Sequence, residues 1–288
     1  MQTRRIGDVL VSAIGLGGMQ MSIEGRPDER RSAATVHAAL DAGVTLIDTA
    51  DAYHLHAGEE GHNESLIARA LASYGGDTSG VLVATKGGHL RPGDGSWTLD
   101  GSPEHLRQAC DASLKRLGVD AIGLYQFHRP DPKVDYAESV GAIRDLLDAG
   151  KIRMAGISNA NPGQIRLADE ILGSRLVSVQ NQFSPAFRSS EPELTLCDEL
   201  GIAFLPWGPL AGASRAAELG SRFRPFAEVG QAHGVSPQRV CLAWLLAKSP
   251  VVIPIPGSSR PETVRDSVAA VDLRLSANEI TTLDTVGR

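Results

Sequence analysis

Cysteine and aromatic residues are scarce in this chain of 288 residues, which has three Cys, three Trp, four Tyr and six Phe. Cys110, Cys197 and Cys241 are odd in number, far apart and set beside Ala, Leu or Val. That pattern argues against a disulfide-stapled scaffold and gives no zinc-ligand spacing, so they are expected as small buried apolar residues. Long apolar runs are missing too. None approaches the ~18 residues of a membrane span, and the opening MQTRRIGDVL has no apolar stretch of a signal peptide. The cytoplasm is the default compartment. Excess positive charge is also absent: 28 basic against 34 acidic residues give a formal charge of −6. No basic run could track a phosphate backbone, so a nucleic-acid surface is not expected. An anionic ligand would need local basic residues instead of a global field. No internal repeat or low-complexity tract is visible.

What is present is alternation. After a hairpin-like RRIGDVLVS, short apolar runs fall at Ile14–Gly17, Thr45–Asp48, Val81–Thr85 and Ile122–Phe127. Four more follow at Arg153–Ile157, Val177–Gln180, Ile202–Pro206 and Val251–Ile255. Amphipathic stretches separate them, with helix punctuation. Ser102 is placed to cap a helix that Pro103 opens. Gly150, Gly173 and Gly201 stand where helices stop, since a left-handed C-terminal residue costs glycine least. Two helices are predicted between Trp207 and Val251, and a last one over about Ser276–Val286. Eight strands alternating with helices, with no break in composition, predict a parallel sheet closed into a (β/α)8 TIM barrel, one domain over 1–288, with an N-terminal hairpin and extra C-terminal helices. A doubly wound open sheet is the rival.

In such a barrel the site lies at the C-terminal mouth. The strand ends there carry Asp48, with Tyr53 in its loop, then Lys86, His128, Ser158 with Asn159, Gln180 and Trp207. The last strand runs into Ser258, Ser259 and Arg260. Polarity alone proves little in loops, but Asp, Tyr, Lys and His are chemically complementary. A phenol is a poor acid near neutrality, and a neighbouring ammonium lowers its pKa. A buried ammonium stays charged only beside a carboxylate. Asp48 would support Lys86, Lys86 would tune Tyr53, and His128 would hydrogen-bond a substrate oxygen. Such a relay suits giving a proton to an oxygen that gains negative charge.

The sequence resembles an aldo-keto reductase. The likeness is carried, in order, by LIDTADAY, NESLIARAL, VATK, SLKRLGVDAIGLYQFHRPD, GKIRMAGISN, VQNQFS, WGPLAG and PGSSRPETVRDS. The resemblance implies an NADPH-dependent carbonyl reductase that uses neither metal nor flavin. Tyr53 would be its general acid, Lys86 and Asp48 its supports, and His128 the residue that orients the carbonyl. It implies that Ser158, Asn159 and Gln180 hold the nicotinamide carboxamide and that Trp207 stacks on the ring, as in the potassium-channel β-subunit branch. Gly208, Pro209, Leu210 and Gly212 would lie beside the pyrophosphate. Gly257, Ser258, Ser259 and Arg260 would surround the adenosine phosphate, with Thr263 in the helix that RPETV opens. Arg260 suits a 2′-phosphate, which favours NADPH over NADH. Gly18 and Met19 would let the backbone approach the nicotinamide ribose. Asp266 and Ser267 stand where Glu-Asn is usual at the adenine, and their shorter side chains put tight adenine binding in doubt. Gly123 replaces a frequent aspartate away from the chemistry. The chain stops soon after its last helix, so the tail with which longer members wall the substrate pocket is expected to be missing.

Other readings compete for the same residues. GLGGMQ half-matches a dinucleotide fingerprint, but Gln20 fills the last glycine position and no helix is expected there. His54, His56, Glu59, Glu60 and His62 could form a metal cluster in a barrel hydrolase, yet they lie well past the strand in a loop of ordinary solvated composition. Lys86 could form a Schiff base, as in barrel aldolases; its Asp–Tyr company favours reduction. Trp97, in a glycine-rich loop, fits exposed packing and pocket lining equally well, whereas Trp244 reads as core. A cofactor-binding regulatory subunit with little turnover is the remaining rival, and it lacks the long N-terminal extension that would act on a partner. Neither the identity of the carbonyl substrate nor the oligomeric state is legible.

Overall fold

The computed structural model describes residues 1–212 and 215–287. Seven parallel strands are consecutive neighbours: Leu16–Gly17, Leu46–Asp48, Leu82–Gly87, Ile122–Phe127, Ile152–Ser158, Leu176–Gln180 and Ala203–Phe204. The predicted eighth strand closes the sheet through single parallel bridges, Phe204 to Val252 and Gly17 to Gly257. It forms no continuous ladder for a chemical reason. Ile253 N–H donates to the Phe204 carbonyl at 2.8 Å, on the seventh-strand side. On the other side the carbonyls of Pro254 and Pro256 accept from Gly15 and Gly17 at 2.9 and 3.0 Å. Those prolines have no N–H to return, so only half of the ladder towards the first strand can exist.

Helices wrap the outside as predicted, with polar caps that satisfy their first amides. Ser102 accepts from His105 N at the start of Pro103–Leu117, and Asn161 forms a capping box with Gln164 at Pro162–Ile171. The last helix is shorter than the sequence pattern suggests, Ala277–Asp284, because Ser276 is its cap and Glu279 completes the box. Between Trp207 and Val251 the two predicted helices, Arg224–His233 and Pro237–Leu246, are preceded by a four-residue turn, Leu219–Arg222. Trp244 is fully buried, and so are all three free cysteines. No helix of the described residues is long and apolar enough to cross a membrane.

Two packing layers decide where a site can form. The N-terminal hairpin pairs Thr3–Ile6 with Val9–Ser12 through Gly7, whose φ of +56° suits the turn. Its Ile6 and Val11 join Leu46, Leu82, Leu124, Met154 and Ile253 in one apolar cluster. Those are inward-facing positions of different strands, so the hairpin plugs the N-terminal end of the barrel. The inward face continues upward by twos, since side chains alternate along a strand. Leu46 leads to Asp48, Leu82 and Ala84 to Lys86, and Leu124 to Gln126 and then His128. Met154 leads to Ser158, Ser178 to Gln180, Leu205 to Trp207, and Ile255 to Gly257. The apolar floor thus gives way to polar groups at one end of the barrel only.

Candidate active site

Four side chains meet at that end. Lys86 Nζ donates to Asp48 Oδ2 at 2.7 Å, to the Thr49 carbonyl at 2.8 Å and to Tyr53 Oη at 3.1 Å. Its three protons are therefore all directed, and the side chain is completely buried. Asp48 Oδ1 accepts from Gln180 Nε2 at 2.8 Å, which ties the second strand to the sixth across the barrel. The His128 ring stands edge-on to Tyr53, centroids 5.7 Å apart, and its Nδ1 has no protein partner. Lys86 belongs to the third strand itself, in register with Gln126, instead of following the strand.

The electrostatics differ in one respect from the sequence-based expectation. Burial pushes the Tyr53 phenol up by more than the Lys86 ammonium pulls it down, and the Asp48 charge adds to the rise. Burial opposes the charge on Lys86, but Asp48 and Tyr53 outweigh it and hold its pKa above the usual lysine value. His128 is pushed well below the ordinary histidine range by burial, and then by Lys86, His89 and Arg129. At neutral pH the arrangement is a neutral phenol, a charged amine on a carboxylate, and a neutral imidazole with one N–H to give.

These groups line a cavity of about 550 Å³. Tyr53 and His128 line it, and Lys86 is bonded to the phenol. Asp48, Ser158, Asn159 and Gln180 border the same space. Trp207, Gly208, Pro209, Leu210 and Gly212 line it too, as do Met19 and Gly257. Asn159 adopts φ +58°, a left-handed conformation that Asn tolerates better than most residues. It is held there by its side chain: Nδ2 donates to the His128 carbonyl at 3.0 Å, and Oδ1 accepts from Trp207 Nε1 at 3.1 Å. Ser158 Oγ donates to the Gln180 carbonyl at 2.7 Å. Gln180 Oε1 has no protein partner among the described residues, so it is the free acceptor of this group. In the loop beyond Trp207, positive φ at Gly208, Ala211 and Gly212 turns the chain sharply beside the cavity.

Other residues singled out in the sequence sit elsewhere. Gly18 does not border the cavity; its neighbours Gly17 and Met19 do. A Cβ on Gly18 would lie 2.4 Å from Asn63 Oδ1, so close packing explains that glycine. Met19–Met21 is a three-residue 3-10 turn, too short to serve as a dinucleotide-binding helix. Ser258, Thr263 and the Arg260 carbonyl are bonded to one another at the start of the helix Pro261–Val268. Ser259 is partly buried, and Arg260 is exposed with no acidic partner among the described residues. Asp266 is engaged: Arg239 binds its Oδ1 through Nε and Nη2 at 3.1 and 2.7 Å, and Ser236 Oγ donates to Oδ2. Ser267 is buried. In the His/Glu loop, Glu59 takes both ends of the Arg26 guanidinium, at 2.8 and 2.9 Å. His54 Nδ1 bonds the His56 carbonyl and His62 Nδ1 bonds Ser22 Oγ, so these groups do not converge. Among the described residues no three His, Cys, Asp or Glu are grouped to hold a metal.

On one side of the cavity, sequence reasoning left Trp97 open between two readings and missed His89. A small hairpin after the third strand, His89–Leu90 paired with Thr98–Leu99, brings His89 and Trp97 to the mouth. Their rings lie 4.8 Å apart, and the Arg91 guanidinium stacks over Trp97 at 4.8 Å. Trp97 therefore lines the cavity and is also 38% exposed. Gln20, Ile23, Glu24 and Arg129 also line the cavity. Arg129 directly follows His128 at the same strand end, which was the signal that could have found it.

A sequence model of the Aldo/keto reductase family matches residues 13–288. An uncharacterized oxidoreductase of Schizosaccharomyces pombe is 35% identical over 99% of this chain and 90% of its own. The glycerol dehydrogenase structure from Gluconobacter oxydans superposes with a TM-score of 0.85 at 27% identity, covering 98% of this chain and 94% of that one. An aldo/keto reductase from Klebsiella pneumoniae, solved with NADP and acetate, gives 0.81 at 27% identity over 98% and 94%.

Proposed function

The chain belongs to the aldo/keto reductase family, and from that premise we propose that it is a single-domain, NADPH-dependent reductase of an aldehyde or ketone in which Tyr53 delivers the proton. One observation carries the assignment of roles: a buried ammonium bonded at once to a carboxylate and a phenol, beside a cavity large enough for a flat ring and a substrate. NADPH, when bound, supplies the hydride. Tyr53 keeps its proton until a substrate oxygen gains negative charge, because burial penalises the phenolate beforehand. Lys86, 3.1 Å away, stabilises the phenolate that proton transfer leaves. Asp48 holds Lys86 charged. His128 donates its N–H to the carbonyl oxygen and fixes its direction.

The cofactor fits the groups around the cavity. The free Gln180 Oε1, with Ser158 and Asn159, would take the carboxamide, and Trp207 would cover one ring face. The loop from Gly208 to Gly212 and the backbone near Met19 would border the ribose and pyrophosphate. Ser258, Ser259, Arg260 and Thr263 would meet the 2′-phosphate, for which Arg260 has a guanidinium to spare. At the adenine, Asp266 would have to share its carboxylate with Arg239, leaving Ser267 and the helix backbone the freer contacts. A cytoplasmic location agrees with three buried, unpaired thiols.

Tyr53→Phe tests the roles. The variant should bind NADPH normally and lose about 10²- to 10⁴-fold in turnover. Normal turnover would remove Tyr53 from the chemistry. Negligible turnover of every aldehyde by the parent protein, with tight NADPH binding, would instead favour a regulatory subunit.

A further inference from the structure

The charges around the cavity balance except at one place. Asp48 is paired with Lys86. Glu24, which lines the cavity, is paired with Arg91. Arg129 also lines the cavity, is partly buried, and has neither a hydrogen-bond nor an acidic partner among the described residues. A guanidinium cannot shed its charge by losing a proton near neutrality, so it stands there as an unpaired cation with five donors. The apolar Trp97 and Ile23 and the neutral His89 line the same cavity. Burial, then Arg129, then Lys86 push His89 down to about 4. Arg129 and Lys86 also act on His128. The free charge therefore borders the same cavity as Tyr53 and His128, between which the carbonyl oxygen must sit.

We propose that Arg129 is the substrate-selecting residue of this site and that the preferred substrates are carbonyl compounds bearing a carboxylate. The inference rests on the reductase reading and extends it to substrate class. A carboxylate matches the guanidinium in charge and in geometry, since its two oxygens accept two parallel N–H bonds. A phosphate monoester brings a charge of about −2, which one free cation leaves half unbalanced. Neutral carbonyls would leave the cation without a partner in a partly desolvated wall, so the site discriminates against them as well as for the acids.

The test compares two matched pairs with NADPH: 4-carboxybenzaldehyde against its methyl ester, and succinic semialdehyde against its methyl ester. The parent enzyme should show higher kcat/KM for the acid in at least one pair. In Arg129→Gln the acid-to-ester ratio in that pair should fall roughly ten- to hundredfold, mostly through KM, with Arg129→Lys between the two. Raising the salt concentration should erode the parent's preference and leave the variant's ratio flat. Equal kcat/KM for acid and ester in both pairs would overturn the inference while leaving the reductase reading intact. So would a loss of NADPH affinity in Arg129→Gln as large as the loss in KM, which would give the guanidinium to the cofactor. Failure of the parent to reduce both acids would overturn the inference, and only failure with every aldehyde and ketone tried would overturn the reductase reading with it.

Discussion

Asp48→Asn is the perturbation with the sharpest structural consequence. The substitution keeps the shape of the side chain. Its oxygen can still accept from Gln180 Nε2, now at 2.8 Å from Asp48 Oδ1. Its amide nitrogen then faces Lys86 Nζ across the 2.7 Å that separates acceptor from donor in the parent, and two donors cannot bond. A fully buried ammonium is left with a carbonyl and a phenol but no counter-charge. Removing one partner of a buried ion pair costs about 3–5 kcal/mol. At about 2 °C per kcal/mol, that is a fall in Tm of about 6–10 °C. The cost should also depend on pH, because without Asp48 only Tyr53 still opposes burial, the largest influence on Lys86, and the folded pKa should drop below the unfolded value of about 10.4. Between those two values the unfolded chain binds the extra proton, so the variant gains stability as pH rises. In the parent, Lys86 is held above the ordinary value, and its contribution is lost only as pH rises through that higher folded pKa. The difference between the two proteins should therefore shrink from pH 7 to pH 10. Urea unfolding at pH 7, 8.5 and 10 measures it. Adding Lys86→Met to Asp48→Asn should recover part of the loss at pH 7, since it removes the stranded charge. A gap that stays constant with pH, or a double variant less stable than Asp48→Asn alone, would refute the account of this pair.

Arg260→Ala should weaken NADPH by roughly ten- to hundredfold while NADH changes little, because on the proposed assignment only the 2′-phosphate would meet the guanidinium; equal losses measured by fluorescence titration would refute the phosphate assignment. The histidines of the mouth predict acid sensitivity. His89 stays neutral in the folded protein down to about 4, whereas an unfolded histidine takes its proton near 6.5. The unfolded state holds more protons in that window, so stability should fall as pH drops through it. In His89→Gln the part due to this ring should vanish, and a parent-to-variant difference in urea midpoint that does not change between pH 7 and pH 5 would show that the ring carries no such linkage.

The barrel was legible where a strand has a continuous apolar face. Leu46–Asp48, Leu82–Gly87 and Ile122–Phe127 stand within two residues of their predicted ends, because each begins on inward positions that must be buried and ends where the polar residues begin. The eighth strand was legible as a segment but not as a ladder: its alternate prolines keep the carbonyls and remove the donors. The hairpin at His89–Leu90 and Thr98–Leu99 was illegible for another reason. Two-residue strands carry no periodicity, and RPGDGS between them reads only as a loop. The stacking of Trp97 on His89 and Arg91, and with it the lining of the mouth, was hidden for the same reason. Loop side chains take their positions from tertiary contacts, so the residues that face a substrate are read from sequence less well than those that end a strand.

The sign of the shift at Tyr53 shows how far chemical complementarity alone can mislead. Reasoning from residue types, an ammonium beside a phenol must make it more acidic, and Lys86 does act in that direction. Burial opposes it and wins, because desolvation penalises the phenolate over the whole buried ring while Lys86 shares its three protons with Asp48 and Thr49. A phenol kept neutral suits a reductase better than one kept acidic. Were Lys86 to win outright, part of the phenol would be ionised before the substrate arrived, and that part could donate nothing. In the proposed mechanism, with burial in control, the proton stays on Tyr53 until a more basic oxygen appears beside it. The ammonium then stabilises the phenolate that forms, so its effect is spent on the transition state and not on the resting enzyme.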